Sequence, residues 1–61
     1  MKSKERFLKI YVNLPVNLRS EIIAVLPNVG PLTWNVAYLE IENDTQLGKQ
    51  ILEKLEGLKI I

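Results

Sequence analysis

The first apolar segment of the chain, residues 7–14, alternates along its length. An extended backbone would point one set of side chains to one side: Leu8, Ile10, Val12 and Leu14. It would point the other set to the opposite side: Phe7, Lys9, Tyr11 and Asn13. Alternation with a period of two, among aromatic and β-branched residues, predicts a β-strand.

A helix is predicted next. Pro15 suits its first turn, and Asn17 is an alternative N-cap that would move its start by two residues. Apolar residues then recur at i, i+4, i+7 and i+8, and they are Leu18, Ile22, Val25 and Leu26. This spacing is typical of one buried helix face. Pro27 ends the predicted helix, and residues 28–31 predict a turn.

Residues 32–42 predict a second strand. Asn35, Ala37, Leu39 and Ile41 alternate there with Trp34, Val36, Tyr38, Glu40 and Glu42. A second helix follows, with Asn43 or Asp44 as its N-cap and Asn43 and Gln46 at capping-box spacing. Its predicted buried face carries Leu47, Ile51, Leu52 and Leu55. Gly57 is predicted to end this helix in a left-handed conformation. Residues 58–61, which are apolar except for Lys59, either dock on the core or add a short strand.

The predicted fold class is therefore α/β. The element order is β-α-β-α, with a possible final β, and two helices pack on a short sheet in two layers. About twenty residues, including a helix, join the two predicted strands. Such a crossover favours a parallel strand pair with a right-handed connection.

The length limits how much core the chain can build. It has 61 residues, of which 22 are Leu, Ile or Val, so it forms one small domain with a thin margin of stability. It contains no Cys and no His, which excludes disulfides and zinc sites built on Cys and His. Association with a partner chain is then the expected additional source of stability.

Charge is distributed unevenly. Residues 1–20 carry five basic side chains and one acidic one, whereas residues 21–61 carry three basic and six acidic ones. We predict a basic, flexible N-terminal arm at residues 1–6 and a single domain at residues 7–61. Polar residues interrupt every apolar run near the start before it reaches the length of a signal peptide or a membrane span, which predicts a cytoplasmic protein.

The four aromatic residues fall on one side of the two predicted strands. If both strands share a sheet, Phe7, Tyr11, Trp34 and Tyr38 gather on the face opposite the aliphatic one, together with Val36. Two short helices on the aliphatic face would leave this aromatic face exposed, and a monomer rarely exposes such a patch. The alternative is that one helix covers it as ordinary core.

No catalytic chemistry is evident in the sequence. Without His or Cys the common nucleophilic triads are excluded. The acidic pairs, Glu40 with Glu42 and Glu53 with Glu56, are predicted to be solvated. We therefore predict no enzyme activity, no cofactor and no metal site.

Residues 8–26 resemble the first strand and first helix of ribbon-helix-helix repressors. In that family, alternate strand residues enter the major groove of DNA, so the resemblance implies base contacts by Lys9, Tyr11 and Asn13. It covers less than a third of the chain, and residues 32–42 predict a strand where the family has its second helix.

Two functions follow from these patterns. The leading hypothesis is a non-enzymatic interaction module that forms a homodimer through Phe7, Tyr11, Trp34, Val36 and Tyr38. The alternative is a small nucleic-acid-binding protein that contacts phosphates through Lys2, Lys4, Arg6, Lys9 and Arg19.

Overall fold

The computed structural model describes residues 2–61 of the chain. Helix α1 spans Lys2–Val12, and a single 3-10 turn follows at Val16–Leu18. Strands β1, Ile22–Leu26, and β2, Gly30–Thr33, form a two-stranded antiparallel sheet. Helices α2, Trp34–Glu42, and α3, Gln46–Gly57, complete the fold.

The α/β class is confirmed, because three helices pack with a short sheet. The order of the elements differs from the predicted β-α-β-α(-β), since the observed order is α-β-β-α-α. The predicted strands at 7–14 and 32–42 are helical over most of their length, and β1 lies where the first helix was predicted. The strand pair is an antiparallel hairpin and not a parallel crossover.

Helix α1 forms because the aromatic residues at its centre also satisfy helical spacing. Phe7 and Tyr11 are four residues apart and therefore lie on one side of a helix. Residues 2–6, which the sequence suggests as a basic arm, form the first turns of this helix, while Met1 lies outside the described residues. The resemblance to ribbon-helix-helix repressors has no structural counterpart here, because its strand falls within α1.

Proline and glycine set the geometry of the hairpin. Pro27 occupies the second position of a β-turn in which the Val29 amide donates to the Leu26 carbonyl at 3.1 Å. Gly30 follows with φ +94°, a conformation that glycine adopts without strain. The turn and the glycine together reverse the chain, so that Leu26 pairs with Gly30 across the hairpin. Pro27 thus shapes a turn and does not end a helix.

Two threonines begin the last two helices. The Thr33 hydroxyl accepts a hydrogen bond from the Val36 amide at the start of α2, and the Thr45 hydroxyl accepts one from the Gly48 amide at the start of α3. Thr45, and neither Asn43 nor Asp44, is therefore the N-cap of α3. Asp44 lies in the turn between the helices with φ 54°, a left-handed conformation that Asp tolerates.

The α2–α3 corner is tight because residue 48 has no side chain. A Cβ at Gly48 would overlap the Glu40 carbonyl at the end of α2. The same carbonyl accepts hydrogen bonds from the Thr45 amide at 3.1 Å and from the Thr45 hydroxyl at 3.2 Å. The Thr45 hydroxyl also lies 2.6 Å from the Glu40 carboxylate. Gly48 is therefore a packing requirement of the corner.

Helix α3 ends in a left-handed residue, but that residue is Lys59 with φ 58° and not Gly57. The Ile60 amide donates to the Leu55 carbonyl, and the Lys59 amide donates to the Glu56 carbonyl. This pair of bonds is the Schellman arrangement. It turns the chain back so that Ile61 packs against the core, and the tail adds no strand.

The core draws side chains from every helix and strand of the fold. Its largest fully buried members are Phe7 of α1, Ile41 of α2, and Ile51 and Leu55 of α3. Ala24 and Leu26 of β1 and Leu32 of β2 close it from the side of the sheet. The predicted buried face of α3 is confirmed, with Ile51, Leu52 and Leu55 buried and Leu47 half-buried.

Replacement of Gly48 by Ala is expected to destabilise the fold by about 1–3 kcal/mol, because the new methyl group must displace the α2 backbone. Gly57→Ala is the matched control: a methyl group there would meet no atom within 4 Å, and alanine favours helix. We expect it to be neutral or stabilising by up to about 1 kcal/mol. Urea unfolding of the two variants measures both effects, and equal stabilities would contradict the tight corner.

Candidate interaction surface

The four aromatic residues form one intramolecular cluster between α1 and α2. The rings of Tyr11 and Tyr38 stack with centroids 4.3 Å apart, and those of Phe7 and Trp34 with centroids 5.7 Å apart. Phe7 and Tyr11 are also stacked, at 6.3 Å. Phe7 is fully buried, and the other three are half-buried against the core.

Polar contacts fix the outer part of this cluster. The Tyr11 hydroxyl donates to the Asn35 side-chain oxygen at 2.8 Å, which ties α1 to the first turn of α2. The Arg19 guanidinium lies 4.5 Å from the centroid of the Tyr11 ring. It also donates to the Tyr11 carbonyl at 3.3 Å, near the negative end of the α1 dipole. Tyr11 is therefore engaged at its ring, its hydroxyl and its carbonyl.

The aromatic sheet face predicted from the sequence does not form, because all four aromatic residues are helical. Phe7, Tyr11, Trp34 and Tyr38 cover one another within a single molecule, which removes the reason to expect a dimer built on them. Val36 is the fifth member of the predicted contact set, and it lies on the exposed side of α2.

The five basic residues of the predicted nucleic-acid surface fall into two groups. Lys4 pairs with Asp44 at 2.9 Å, and the Arg19 guanidinium contacts the ring and the backbone carbonyl of Tyr11. Lys2, Arg6 and Lys9 are exposed on α1 at i, i+4 and i+7, so they share one face of the helix. The structure thus leaves three of the five side chains available as a single stripe.

Strand β1 presents apolar side chains to solvent. Ala24 and Leu26 point into the core, so Val25 between them points outward and is 58 % exposed. Val25 pairs across the hairpin with Pro31, which is also exposed. An irregularity in the strand pairing between Ile22 and Ala24 lets Ile22 be exposed as well, at 60 %. Together with Val29 of the turn, these residues form the hairpin surface: Ile22, Val25, Val29 and Pro31.

Each strand of a two-stranded sheet has one edge that pairs with no other strand. Strand β2 contains Pro31, which removes a backbone donor from that strand. Strand β1, Ile22–Leu26, contains no proline and keeps all of its backbone donors. An apolar edge strand without proline is a template for pairing with another chain.

The sequence interpretation misses this surface, because helical spacing puts Ile22 and Val25 on the buried face of a predicted helix. The β-branched run Ile22, Ile23 and Val25 favours strand over helix, and the Pro27–Gly30 segment after it is typical of a hairpin turn. These two features together carry the information from which the hairpin could be predicted.

No cluster of three or more potential metal-ligating side chains occurs within residues 2–61. None of the helices in this part of the chain has the length and apolar character needed to cross a membrane. Comparison with protein families, with curated proteins and with solved structures gives no match.

The Lys4–Asp44 pair lowers the pKa of Asp44, chiefly through the Lys4 hydrogen bond and then through the Lys4 charge. We expect Lys4→Met to raise the pKa of Asp44 toward its ordinary value. Lys2→Met, an exposed change on the same helix, should leave it unchanged. NMR titration of the side-chain carboxyl carbon measures both.

Because the pKa of Asp44 is lowered, the stability that the Lys4–Asp44 pair contributes depends on pH. The contribution of the pair is present above the ordinary pKa of Asp and is lost as pH falls through the lowered value. This acid sensitivity should be absent from Lys4→Met. An unchanged pKa for Asp44 in that variant would contradict the pairing.

Proposed function

We propose that the chain is a non-catalytic interaction module that associates with a second copy of itself through the hairpin surface and the free edge of β1. The single observation that carries the proposal is the exposure of Ile22 and Val25 on a strand whose outer edge pairs with no other strand. The surface differs from the aromatic one predicted from the sequence, while the class of function is the same.

Size supports association. A domain of about 60 residues buries only about 60 % of the surface of its unfolded chain, so its stability is marginal. The nine buried apolar side chains among residues 2–61 make a small core. Covering Ile22, Val25 and Val29 with a second copy would remove additional apolar surface from water, at about 25 cal/mol for each Å².

The geometry of β1 supports pairing between two identical copies of this strand. Two antiparallel copies of β1 related by a twofold axis present the same backbone groups to each other, so the contact closes on itself. The product would be a four-stranded sheet. An isolated two-stranded hairpin is only marginally stable in water, and additional strands stabilise it. The outward side chains of both β1 strands, Val25 among them, would then lie side by side on one apolar face.

Nucleic-acid binding, the alternative function, stays a prediction. Three of its five basic residues, Lys2, Arg6 and Lys9, are exposed and share one face of α1. Since each phosphate contact contributes about −0.9 to the log–log salt slope on duplex DNA, this stripe alone could give a slope of about −3 at most. That is a weak footprint, with a shallower salt dependence than that of proteins making about 6–10 phosphate contacts. The predicted cytoplasmic location and the predicted lack of enzyme activity likewise stay predictions.

Val25→Lys and Leu39→Lys form a matched pair, because Val25 on β1 is 58 % exposed and Leu39 on α2 is 57 % exposed. In size-exclusion chromatography with light scattering, the wild type should reach twice the 7.0 kDa chain mass as its concentration rises. Val25→Lys should stay at the chain mass, because it would place two charged side chains on the apolar face that the dimer forms. Leu39→Lys should associate like the wild type.

Circular dichroism of both variants is the control for folding, and neither should change, because both side chains point into solvent. A wild type that stays at the chain mass into the millimolar range would contradict the proposal. Association that Leu39→Lys abolishes and Val25→Lys leaves intact would place the contact on α2 and also contradict it.

A further inference from the structure

Helix α1 carries a groove on a side that the aromatic cluster does not use. It has a volume of about 470 Å³ and is lined by Arg6, Lys9, Ile10, Asn13, Leu14 and Pro15. The groove is shallow and largely open to solvent, so a ligand would lie along it and would not be enclosed. Ile10 and Leu14 are half-buried and belong to neither the core nor the side chains packed against it. The groove therefore has apolar walls that stay partly accessible to solvent.

Two cationic side chains line this groove. Arg6 and Lys9 are three residues apart on α1, which makes them neighbours on the helix surface. Both are exposed, and the ion pair formed within residues 2–61 is the one between Lys4 and Asp44. Arg6 and Lys9 thus lack a carboxylate partner among the residues described. An apolar floor with two unmatched positive charges beside it is complementary to a ligand that is apolar and acidic.

We propose that this groove binds an acidic peptide segment of another protein, one that places a large aliphatic side chain on Ile10 and Leu14 and carboxylates on Arg6 and Lys9. An arginine side chain can hold a carboxylate through two parallel hydrogen bonds, which adds orientation to the charge attraction. The inference is independent of the hairpin proposal, because the groove residues lie on α1 and its C-terminal continuation, outside β1 and β2.

The chemistry of the lining favours a peptide over nucleic acid. A phosphate backbone would use Arg6 and Lys9 but would leave the apolar floor of Ile10, Leu14 and Pro15 without a matching group. A second copy of this chain is a poorer match. It would join two different surfaces, and such a heterologous contact continues into rings or filaments.

The test is an NMR titration of the amide resonances of the full chain. The probe is a capped synthetic peptide of Glu and Leu at helical spacing, and its control replaces every Glu by Lys. We expect the acidic peptide to shift the amides of Lys9, Ile10, Asn13 and Leu14, and the basic peptide to leave them in place. Binding should weaken as salt is raised, because the ion pairs are exposed.

Two matched pairs of variants measure separately how much the charges and the apolar floor contribute to binding. The double reversal Arg6→Glu with Lys9→Glu should weaken binding about tenfold, whereas the double reversal Lys49→Glu with Lys54→Glu, exposed on α3 outside the groove, should change it less than about twofold. Ile10→Gln should weaken binding several-fold, whereas Val12→Gln, exposed on the same helix outside the lining, should not. The dispersion of the remaining amide resonances shows that each variant is folded.

Several results would overturn the proposal. These are equal binding of the acidic and basic peptides, equal losses within either variant pair, and no groove shifts at millimolar acidic peptide. A DNA duplex that shifts the groove amides where the acidic peptide does not would assign the cations to nucleic acid. Groove shifts that follow the concentration of the chain alone would make a second copy the occupant.

Discussion

The stacking of aromatic rings between α1 and α2 is the interaction on which the rest of the structure depends. Helix α1 contributes one fully buried side chain, Phe7, among its described residues. It is also attached by Leu8, which packs against the core, by the Lys4–Asp44 pair, and by Tyr11, which stacks on Tyr38 and contacts Asn35 and Arg19. Because the core beneath α1 is small, these contacts are a large part of what holds the helix in place.

This use of the aromatic residues determines which surfaces remain available. Since Phe7 and Tyr11 turn one side of α1 inward, the opposite side keeps its cations and the groove beside Ile10 and Leu14. Since Trp34 and Tyr38 lie under α1, the largest exposed apolar groups are aliphatic. In the hairpin these exposed groups are Ile22 and Val25, which lie on β1. The free edge of β1 adds unpaired backbone groups to this apolar surface, and a partner could bind both.

The sequence predicted the α/β class and helix α3, but it misplaced the other elements. In α3, Ile51, Leu52 and Leu55 lie on one side of a helix, whereas a strand would put Leu52 on the opposite face from the other two and Glu53 between them, so the helical period is favoured. Segment 32–42 satisfies both periods, since Trp34, Ala37, Tyr38 and Ile41 recur at i, i+3, i+4 and i+7 while alternation also holds. Local pattern does not decide such a segment. The partner against which it packs decides it.

Because segments 7–14 and 32–42 fit both a strand and a helix, the sequence also left the location of the surface sites undecided. The sequence predicts the aromatic residues on one face of a sheet, whereas the structure brings them together between two helices, so they cover a different surface. Their partners, such as Asn35 for Tyr11 and Tyr38 for the Tyr11 ring, are 24 or more residues away and become visible once α1 and α2 are adjacent. The groove on α1 likewise exists because that segment is helical, with Arg6 and Lys9 three residues apart on one face.

The most direct test of this arrangement is an isotope-filtered NOESY experiment on a mixture of labelled and unlabelled chains. Ring-proton contacts between Tyr11 and Tyr38 and between Phe7 and Trp34 should appear within single chains and be absent from the spectrum that selects contacts between chains. If those contacts appear between chains, the aromatic residues form an interface and not an intramolecular cluster, and the structure described here would be contradicted at its centre.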